Sequence, residues 1–141
     1  MLTKILRPGT EAAYDFLRIV AGLMFSFHGM QKILHVLPSP EQPPIVFGSQ
    51  LWLGGMIELI CGLAIAFGLL TSWAAFLASG TMAVAYVQFH WAPWDKGWFN
   101  AHSFPAVNQG EPALLYSVLF LYIACRGAGK ASIDERLTRG T

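Results

Sequence analysis

The sequence predicts an all-α integral membrane protein, a single domain (residues 1–141) of four transmembrane helices with both termini in the cytoplasm. Hydrophobic residues make up 55% of the 141-residue chain and charged residues only 12%, whereas soluble domains carry about 25% charged residues. A short chain has a large surface for its volume, so it would need many charges to face water on all sides. The apolar residues also fall into four segments, and the basic residues gather at the two chain ends.

The four predicted spans cover residues 14–37, 47–70, 72–94 and 112–127. A helix needs about 20 residues to cross a hydrocarbon core of about 30 Å, so the first three spans are long enough. The fourth is short and is expected to lie nearly upright or to extend by a turn at each end. The four prolines of "LPSPEQPP" end the first span. The short connection "LLTSW" predicts an antiparallel hairpin of the second and third spans.

The distribution of basic residues predicts the orientation. The side of the bundle opposite the termini carries only Lys32 and Lys96, so the positive-inside rule places both termini in the cytoplasm. Arg18 lies about one turn inside the first span, and its long side chain is expected to reach back to the cytoplasmic interface. Near the two chain ends, the other basic residues are Lys4, Arg7, Arg126, Lys130, Arg136 and Arg139.

Local patterns predict one further helix and two helix-packing faces. Ser132 and Glu135 have the spacing of a capping box, which predicts a short helix after the last span. Small residues four apart let helix backbones approach closely, and such faces are the usual source of helix packing in lipid. They occur on the second span as Gly62 with Ala66 and Ala64 with Gly68, and on the third as Ala75, Ser79 and Ala83.

Polar residues within the apolar spans form the candidate site. Ionisable groups near the bilayer centre cost about 2.5–3.5 kcal/mol on insertion scales, so they usually face the bundle interior. His28 and Glu58 are predicted at similar depths, about 13 and 16 Å from the outer ends of their spans. All four helices direct polar groups toward the outer half of the bundle, which predicts a cavity there. The candidate site residues are His28, Gln31, Lys32, Glu58, His90 and Glu111.

Two interpretations of this polar cluster stay open. In the structural one, Glu58 pairs with Lys32 or hydrogen-bonds His28, and the pair holds the helices in register without any chemistry. In the functional one, the cluster forms a small-molecule site or proton relay. Quinone reduction needs hydrogen-bond donors, a proton source and aromatic walls, and the candidate walls are Phe25, Phe27 and Phe89.

The histidines do not favour haem or a metal ion. Bis-histidine haem ligation needs two histidines at one depth on facing helices, but His28 and His90 are predicted to differ by about 7 Å in depth. His35, His90 and His102 near the outer surface show no metal-ligand spacing. We therefore expect neither a metal site nor a haem.

Other partner classes are disfavoured by charge and motif content. A net charge of +1 provides no basic stripe for nucleic acid. The chain contains no GxGxxG and no CxxC motif, so it has no recognisable means of holding a nucleotide or a conventional redox cofactor. Cys61 and Cys125 lie in apolar segments and are interpreted as packing residues.

Three stretches together resemble the DoxX family of small four-helix membrane proteins. They are "RIVAGLMFSFHGMQK", "GGMIELICGLAIAFGLLTSWAA" and the pair "GEPALLY" and "GAGKASIDERL". The resemblance covers nearly the whole chain, and the order and spacing of the pieces carry it. The matching residues are Arg18, Gly22, His28, Gly29 and Lys32 in the first stretch, Glu58, Gly62, Gly68 and Thr71 in the second, and Glu111, Ser132 and Asp134 in the last.

The resemblance implies a multi-pass protein in the cytoplasmic (inner) membrane of a bacterium or archaeon, associated with redox chemistry. Family members include a subunit of an archaeal thiosulfate:quinone oxidoreductase. We therefore expect an accessory or quinone-interacting subunit that works with other membrane or periplasmic redox proteins, with quinone as the candidate cofactor. The alternative is a non-catalytic scaffold of a larger membrane complex. The loop "PWDKGWFNAHSFPAVNQ" departs from the family pattern and is a candidate docking surface.

Overall fold

The computed structural model describes residues 1–37 and 45–140, and its regular structure is entirely helical over those residues. The all-α fold class is therefore confirmed, whereas the number of membrane spans stays a prediction. Most of the proline-rich loop predicted after the first span lies outside the described residues. In chain order, the helices are α1 Leu2–Leu6, α2 Thr10–Ile33, α3 Gln50–Phe67, α4 Thr71–Ala85, α5 Pro93–Lys96, α6 Pro105–Asn108, α7 Glu111–Arg126 and α8 Ile133–Arg139.

The helix α3 is long and apolar enough to cross a membrane, and within the described parts of the chain no other helix meets both criteria. Each of the other long helices fails one of these criteria for a reason that lies in its own sequence. The 24-residue α2 carries the charged residues Glu11, Asp15, Arg18 and Lys32. The helices α4 and α7 have only 15 and 16 residues, although α4 runs on without a break into a π-helix, Tyr86–Trp91.

The long helices pack as two close pairs, α2 against α3 and α4 against α7, joined through the contact of α3 with α4. Residues 68–70 connect α3 to α4, and left-handed backbone at Gly68 (φ 71°) and Leu70 (φ 48°) makes this short reversal possible. Aromatic rings bridge the pairs, since the ring of Phe25 on α2 lies 4.7 Å from that of Phe120 on α7. The core thus lies between all four long helices.

Glycines, which have no side chain, allow the backbones of α2 and α3 to approach closely. A Cβ on Gly22 would lie 2.6 Å from the backbone nitrogen of Ala66, and one on Gly29 would collide with the backbone of Leu59. The predicted face of Gly62 and Ala66 is therefore the one that α2 approaches. The glycines on α2 escaped prediction as a packing face because their small size is explained only by the partner helix.

The predicted packing face of α4 is confirmed for two of its three residues. Ala75 and Ser79 are buried, and the Ser79 hydroxyl donates to the Ser117 carbonyl of α7 at 2.7 Å. Ala83 is exposed. The buried small-residue face therefore ends before Ala83, two residues short of the end of α4 at Ala85.

The expected position of Arg18 is wrong: its side chain is fully buried instead of reaching the interface. Its guanidinium donates to the carbonyls of Ile65 (2.5 Å) and Ala66 (2.8 Å), at the end of α3, and to the carbonyl of Ala131 (2.7 Å). The last carbonyls of a helix lack partners within the helix and carry its partial negative charge. Arg18 satisfies both requirements, which makes the interior its favourable position.

The chain after α7 closes the same end of the bundle. Ser132 accepts a hydrogen bond from the Glu135 backbone (3.2 Å), so the predicted helix start is confirmed. The Asp134 carboxylate accepts from the backbone N–H groups of Leu70 (2.8 Å) and Thr71 (2.9 Å). Burial alone would raise the pKa of Asp134, but these hydrogen bonds, the Thr71 hydroxyl and nearby Arg18 hold it below its usual 3.8. The α8 segment is thereby fastened to the α3–α4 connection.

Candidate functional site

A cavity of about 600 Å³ lies between α2, α3, α4, the π-helix and α7. This volume is in the range of small-molecule sites, about 300–1,000 Å³. Most of its wall is apolar, with Phe25, Ile57 and Phe89 among the lining side chains. Its polar lining residues are His28, Lys32, Gln50, Glu58, Thr81, His90 and Tyr116. Such a cavity suits a largely apolar molecule that carries a few polar atoms.

An ion pair forms the polar wall of the cavity. The Lys32 ammonium lies 2.6 and 2.8 Å from the two Glu58 carboxylate oxygens. The Glu58 side chain is 5% exposed and that of Lys32 is 28% exposed. Gly55 permits this contact, because a Cβ there would come within 2.9 Å of the Lys32 Cβ. The close α2–α3 approach therefore places Lys32 against Glu58.

The ion pair leaves one N–H donor of the Lys32 ammonium unused. An ammonium group has three N–H donors, and the two Glu58 oxygens take two of them. No further acceptor for Lys32 is present in the described part of the chain. Because Lys32 lines the cavity, its remaining donor can serve a bound molecule. Of the two partners that the sequence left open for Glu58, the structure selects Lys32. His28 lines the cavity without a hydrogen bond to any described residue.

His90 enters the cavity from the π-helix that continues α4. Its Nδ1 lies 3.2 Å from the Asn108 carbonyl oxygen, and a carbonyl only accepts, so Nδ1 carries the proton. In the neutral ring, Nε2 is then a free acceptor. Asn108 is itself fixed, since its side chain donates to the His102 carbonyl (2.9 Å) and accepts from Gly110 N–H (2.8 Å). π-Helical turns recur at functional sites, and this one directs both Phe89 and His90 into the cavity.

Two candidate residues and one candidate wall residue do not line the cavity. Gln31 does not line the cavity because it lies about 100° around α2 from Lys32. Its side chain donates to the Leu37 carbonyl at 2.8 Å. Glu111 is exposed in the first turn of α7. Phe27 is exposed as well, whereas the other two aromatic wall candidates line the cavity as expected. Of the six predicted site residues, four line the cavity: His28, Lys32, Glu58 and His90.

The structure adds Tyr116 of α7 to the site. Its ring stacks on Phe120 at 5.3 Å and lies 5.6 Å from Phe25, which positions it on the cavity wall. Its hydroxyl has no hydrogen-bond partner among the residues that the structure describes. A tyrosine in an apolar helix has no distinctive signal of its own, but its four-residue spacing to Phe120 marks the inward face of α7.

A glutamine pair joins α3 to the π-helix beside the cavity. The Gln50 side-chain amide donates to the Gln88 amide oxygen.

Over residues 1–37 and 45–140, no group of three or more His, Cys, Asp or Glu side chains could hold a metal ion. Cys61 is buried and Cys125 exposed, and both are free thiols.

Comparison with known proteins gives one family. The DoxX family model matches residues 13–91, a stretch that includes Lys32, Glu58 and His90. A Haemophilus influenzae protein named "Uncharacterized protein" is 42% identical over 122 residues, covering 86% of this chain and 87% of that protein. No solved structure matches the chain. From the family match and this relative, the chain belongs to the DoxX family of membrane proteins.

Proposed function

We propose that this protein is a quinone-interacting or accessory subunit of a redox-linked complex in the cytoplasmic membrane of a prokaryote. The single observation that carries the proposal is the cavity, whose apolar walls surround the partly buried Lys32–Glu58 pair. Quinones are lipid-soluble, and they need both an apolar enclosure and hydrogen bonds to their oxygens. Other membrane or periplasmic redox subunits would supply or receive the electrons.

Exposed apolar side chains support four spans. Soluble proteins rarely expose large continuous apolar patches, yet each long helix turns large apolar residues outward. Trp73 is 77% exposed and Phe16 is 70% exposed. Lipid in place of water removes the penalty of such a surface. The proposed spans are α2, α3, α4 with its π-helix, and α7.

The positions of the chain ends support cytoplasmic termini. The start of α2 and the segment after α7 meet at one end of the bundle, where Arg18 and Asp15 contact Ala131. Most basic residues of the chain lie near these two segments. The positive-inside rule assigns such an end to the cytoplasm. The cavity then opens in the outer half of the bundle.

The polar groups of the cavity suit a quinone in both redox states. Quinone carbonyl oxygens accept hydrogen bonds, and the unused Lys32 donor and the Tyr116 hydroxyl are donors without a partner in the described chain. Quinol hydroxyls donate, and the His90 Nε2 is an acceptor. The proposed role of His90 is therefore to accept a hydrogen bond from a quinol hydroxyl.

The scaffold alternative has an observation in its favour, because Lys32 and Glu58 satisfy each other's charge. Replacing both residues distinguishes a quinone site from an ion pair with only a structural role. Apolar substitution of a buried pair is often neutral or stabilising by about 1–4 kcal/mol, so Lys32→Met with Glu58→Leu is expected to stay folded. We expect this double variant to bind a decyl-tailed benzoquinone about tenfold more weakly or worse, a loss of about 1.4 kcal/mol.

Equilibrium binding to the purified protein in detergent provides the measurement. The matched control replaces the exposed Glu135–Arg139 pair of α8 with Glu135→Leu and Arg139→Met, and its quinone affinity should equal that of the wild type. Unchanged affinity in the Lys32–Glu58 double variant would remove the pair from the site. In cells, Glu58→Gln is expected to abolish partner-dependent quinone reduction with assembly intact, whereas the scaffold alternative predicts failed assembly.

A further inference from the structure

Two glycines at the cavity have no packing reason to be glycine. A Cβ on Gly22, Gly29 or Gly62 would collide with the facing helix. A Cβ on Gly54 of α3 or Gly80 of α4 would meet nothing within 4 Å. Glycine destabilises a helix interior relative to alanine. A glycine that lowers helix stability and leaves open space beside it is typical of positions where a ligand approaches the backbone closely.

Both glycines line the cavity, one on each side of the boundary between α3 and α4. Gly80 lies nine residues after Thr71 and Glu58 nine residues before Phe67, so both stand about 13–14 Å from the α3–α4 connection. Gly54 lies about one turn beyond Glu58. Gly80 is therefore level with Glu58 of the ion pair, and both glycines lie near the height of the polar wall.

Cavity-lining residues near the two glycines in the chain are apolar and exposed. Leu53 is 56% exposed, and Phe76 and Leu77 also line the cavity while exposing much of their surface. The ion pair is part of the polar wall of the same cavity. A molecule bound with its polar head at the ion pair would thus direct its apolar end between α3 and α4.

We propose that Gly54 and Gly80 form a lateral portal through which the hydrocarbon tail of a bound quinone passes from the cavity into the lipid. This assignment rests on the proposed function. It identifies the ligand class as a quinone with a long apolar tail that enters from the membrane. The head group stays at Lys32 and His90, and the tail keeps its contact with the hydrocarbon layer.

Two probes that differ only in the tail test the portal. One is a tailless benzoquinone and the other is the same ring with a decyl chain, each titrated into purified protein in nanodiscs. Gly80→Phe is expected to weaken binding of the tailed probe by about tenfold, equivalent to about 1.4 kcal/mol, and to change binding of the tailless probe less than about threefold. The control, Ala83→Phe, places the same ring on exposed α4 surface outside the cavity lining and should leave both affinities unchanged.

Gly54→Phe repeats the test from the opposite helix, so a folding defect in one variant, seen as a lowered melting temperature, leaves the other to decide. Undiminished binding of the tailed probe by the folded variant overturns the portal while the proposed function stands. Equal loss of both probes also overturns it, because the residue then belongs to the head-group site. If the wild type binds neither probe, the proposed function itself fails and the portal with it.

Discussion

Arg18 is the residue whose position departs most from its sequence context. A single side chain joins the end of α3 to the segment after α7, through three carbonyl oxygens. Two of these partners lie 47 and 48 positions away in the chain and the third 113. Sequence near Arg18 therefore contains no sign of them. Near the end of an apolar run, an arginine at the interface is the ordinary expectation.

Replacing Arg18 should destabilise the fold strongly. Arg18→Met leaves the buried Ala66 carbonyl without a donor and the Ile65 carbonyl with only the Gly68 N–H, and we expect the free energy of unfolding to fall by about 3 kcal/mol. Arg18→Lys should recover only part of this loss, because one ammonium cannot reproduce the planar, two-sided geometry of the guanidinium. Reversible unfolding in detergent measures both variants. Wild-type stability in Arg18→Met would contradict the assigned role.

At the scale of elements, the α2–α3 interface depends on close backbone contact. Gly29→Ala is expected to destabilise the protein by about 1–3 kcal/mol, because the added methyl would overlap the α3 backbone and force the helices apart. Gly54→Ala is the matched control. Its methyl enters open space, so helix propensity predicts a gain of up to about 1 kcal/mol. Unfolding of both variants under the same conditions tests the prediction, and equal effects would refute it.

The docking of α8 should depend on pH through Asp134. Its pKa is lowered in the folded state, while an unfolded Asp titrates near 3.9. The ionised form therefore contributes stability that is fully present above about pH 5 and is lost as pH falls through the lowered folded pKa. Hydrogen exchange of residues 131–139 should be constant from pH 7 to about 5, after correction for intrinsic rates, and protection should fall below about pH 4.

Asp134→Asn provides the control for this titration. Its amide cannot supply the negative charge at the start of α4, so protection should be weaker than in the wild type at pH 7. The difference between the two proteins should shrink as the wild-type carboxylate is protonated. A difference that stays constant down to acid pH would show that Asp134 does not fasten α8.

Helix positions were predictable from the sequence because long apolar runs, prolines and a cap mark where helices begin and end. The all-helical class followed from the apolar runs and the α8 start from the capping spacing, whereas depth placed His28 level with Glu58 and left Lys32 as one of two possible partners. The π-helix was not predictable, since no residue in "YVQFHW" marks the change of winding. For a related reason, Tyr116 was not predicted, and Gln31 was predicted in the site although it does not line the cavity. A helical face becomes a cavity wall only through its neighbours, and rotation by one residue removes a side chain from it.

The whole molecule has two differently constructed ends. At one, Arg18 and Asp134 satisfy the helix termini at the α3–α4 connection, and the segment after α7 covers them. Farther along the bundle, four helices and a π-helical turn surround an open cavity with an ion pair. The closed end stabilises the bundle, and this leaves the other part free to hold a ligand.

Quinone content after purification from native membranes tests the central claim most directly. The wild-type chain, extracted in mild detergent and then into organic solvent, should yield quinone in amounts comparable to the protein, detected by its absorption. The Lys32→Met, Glu58→Leu variant should yield much less at equal protein recovery. A quinone-free wild-type chain, or equal quinone in both proteins, would contradict a quinone site at this ion pair.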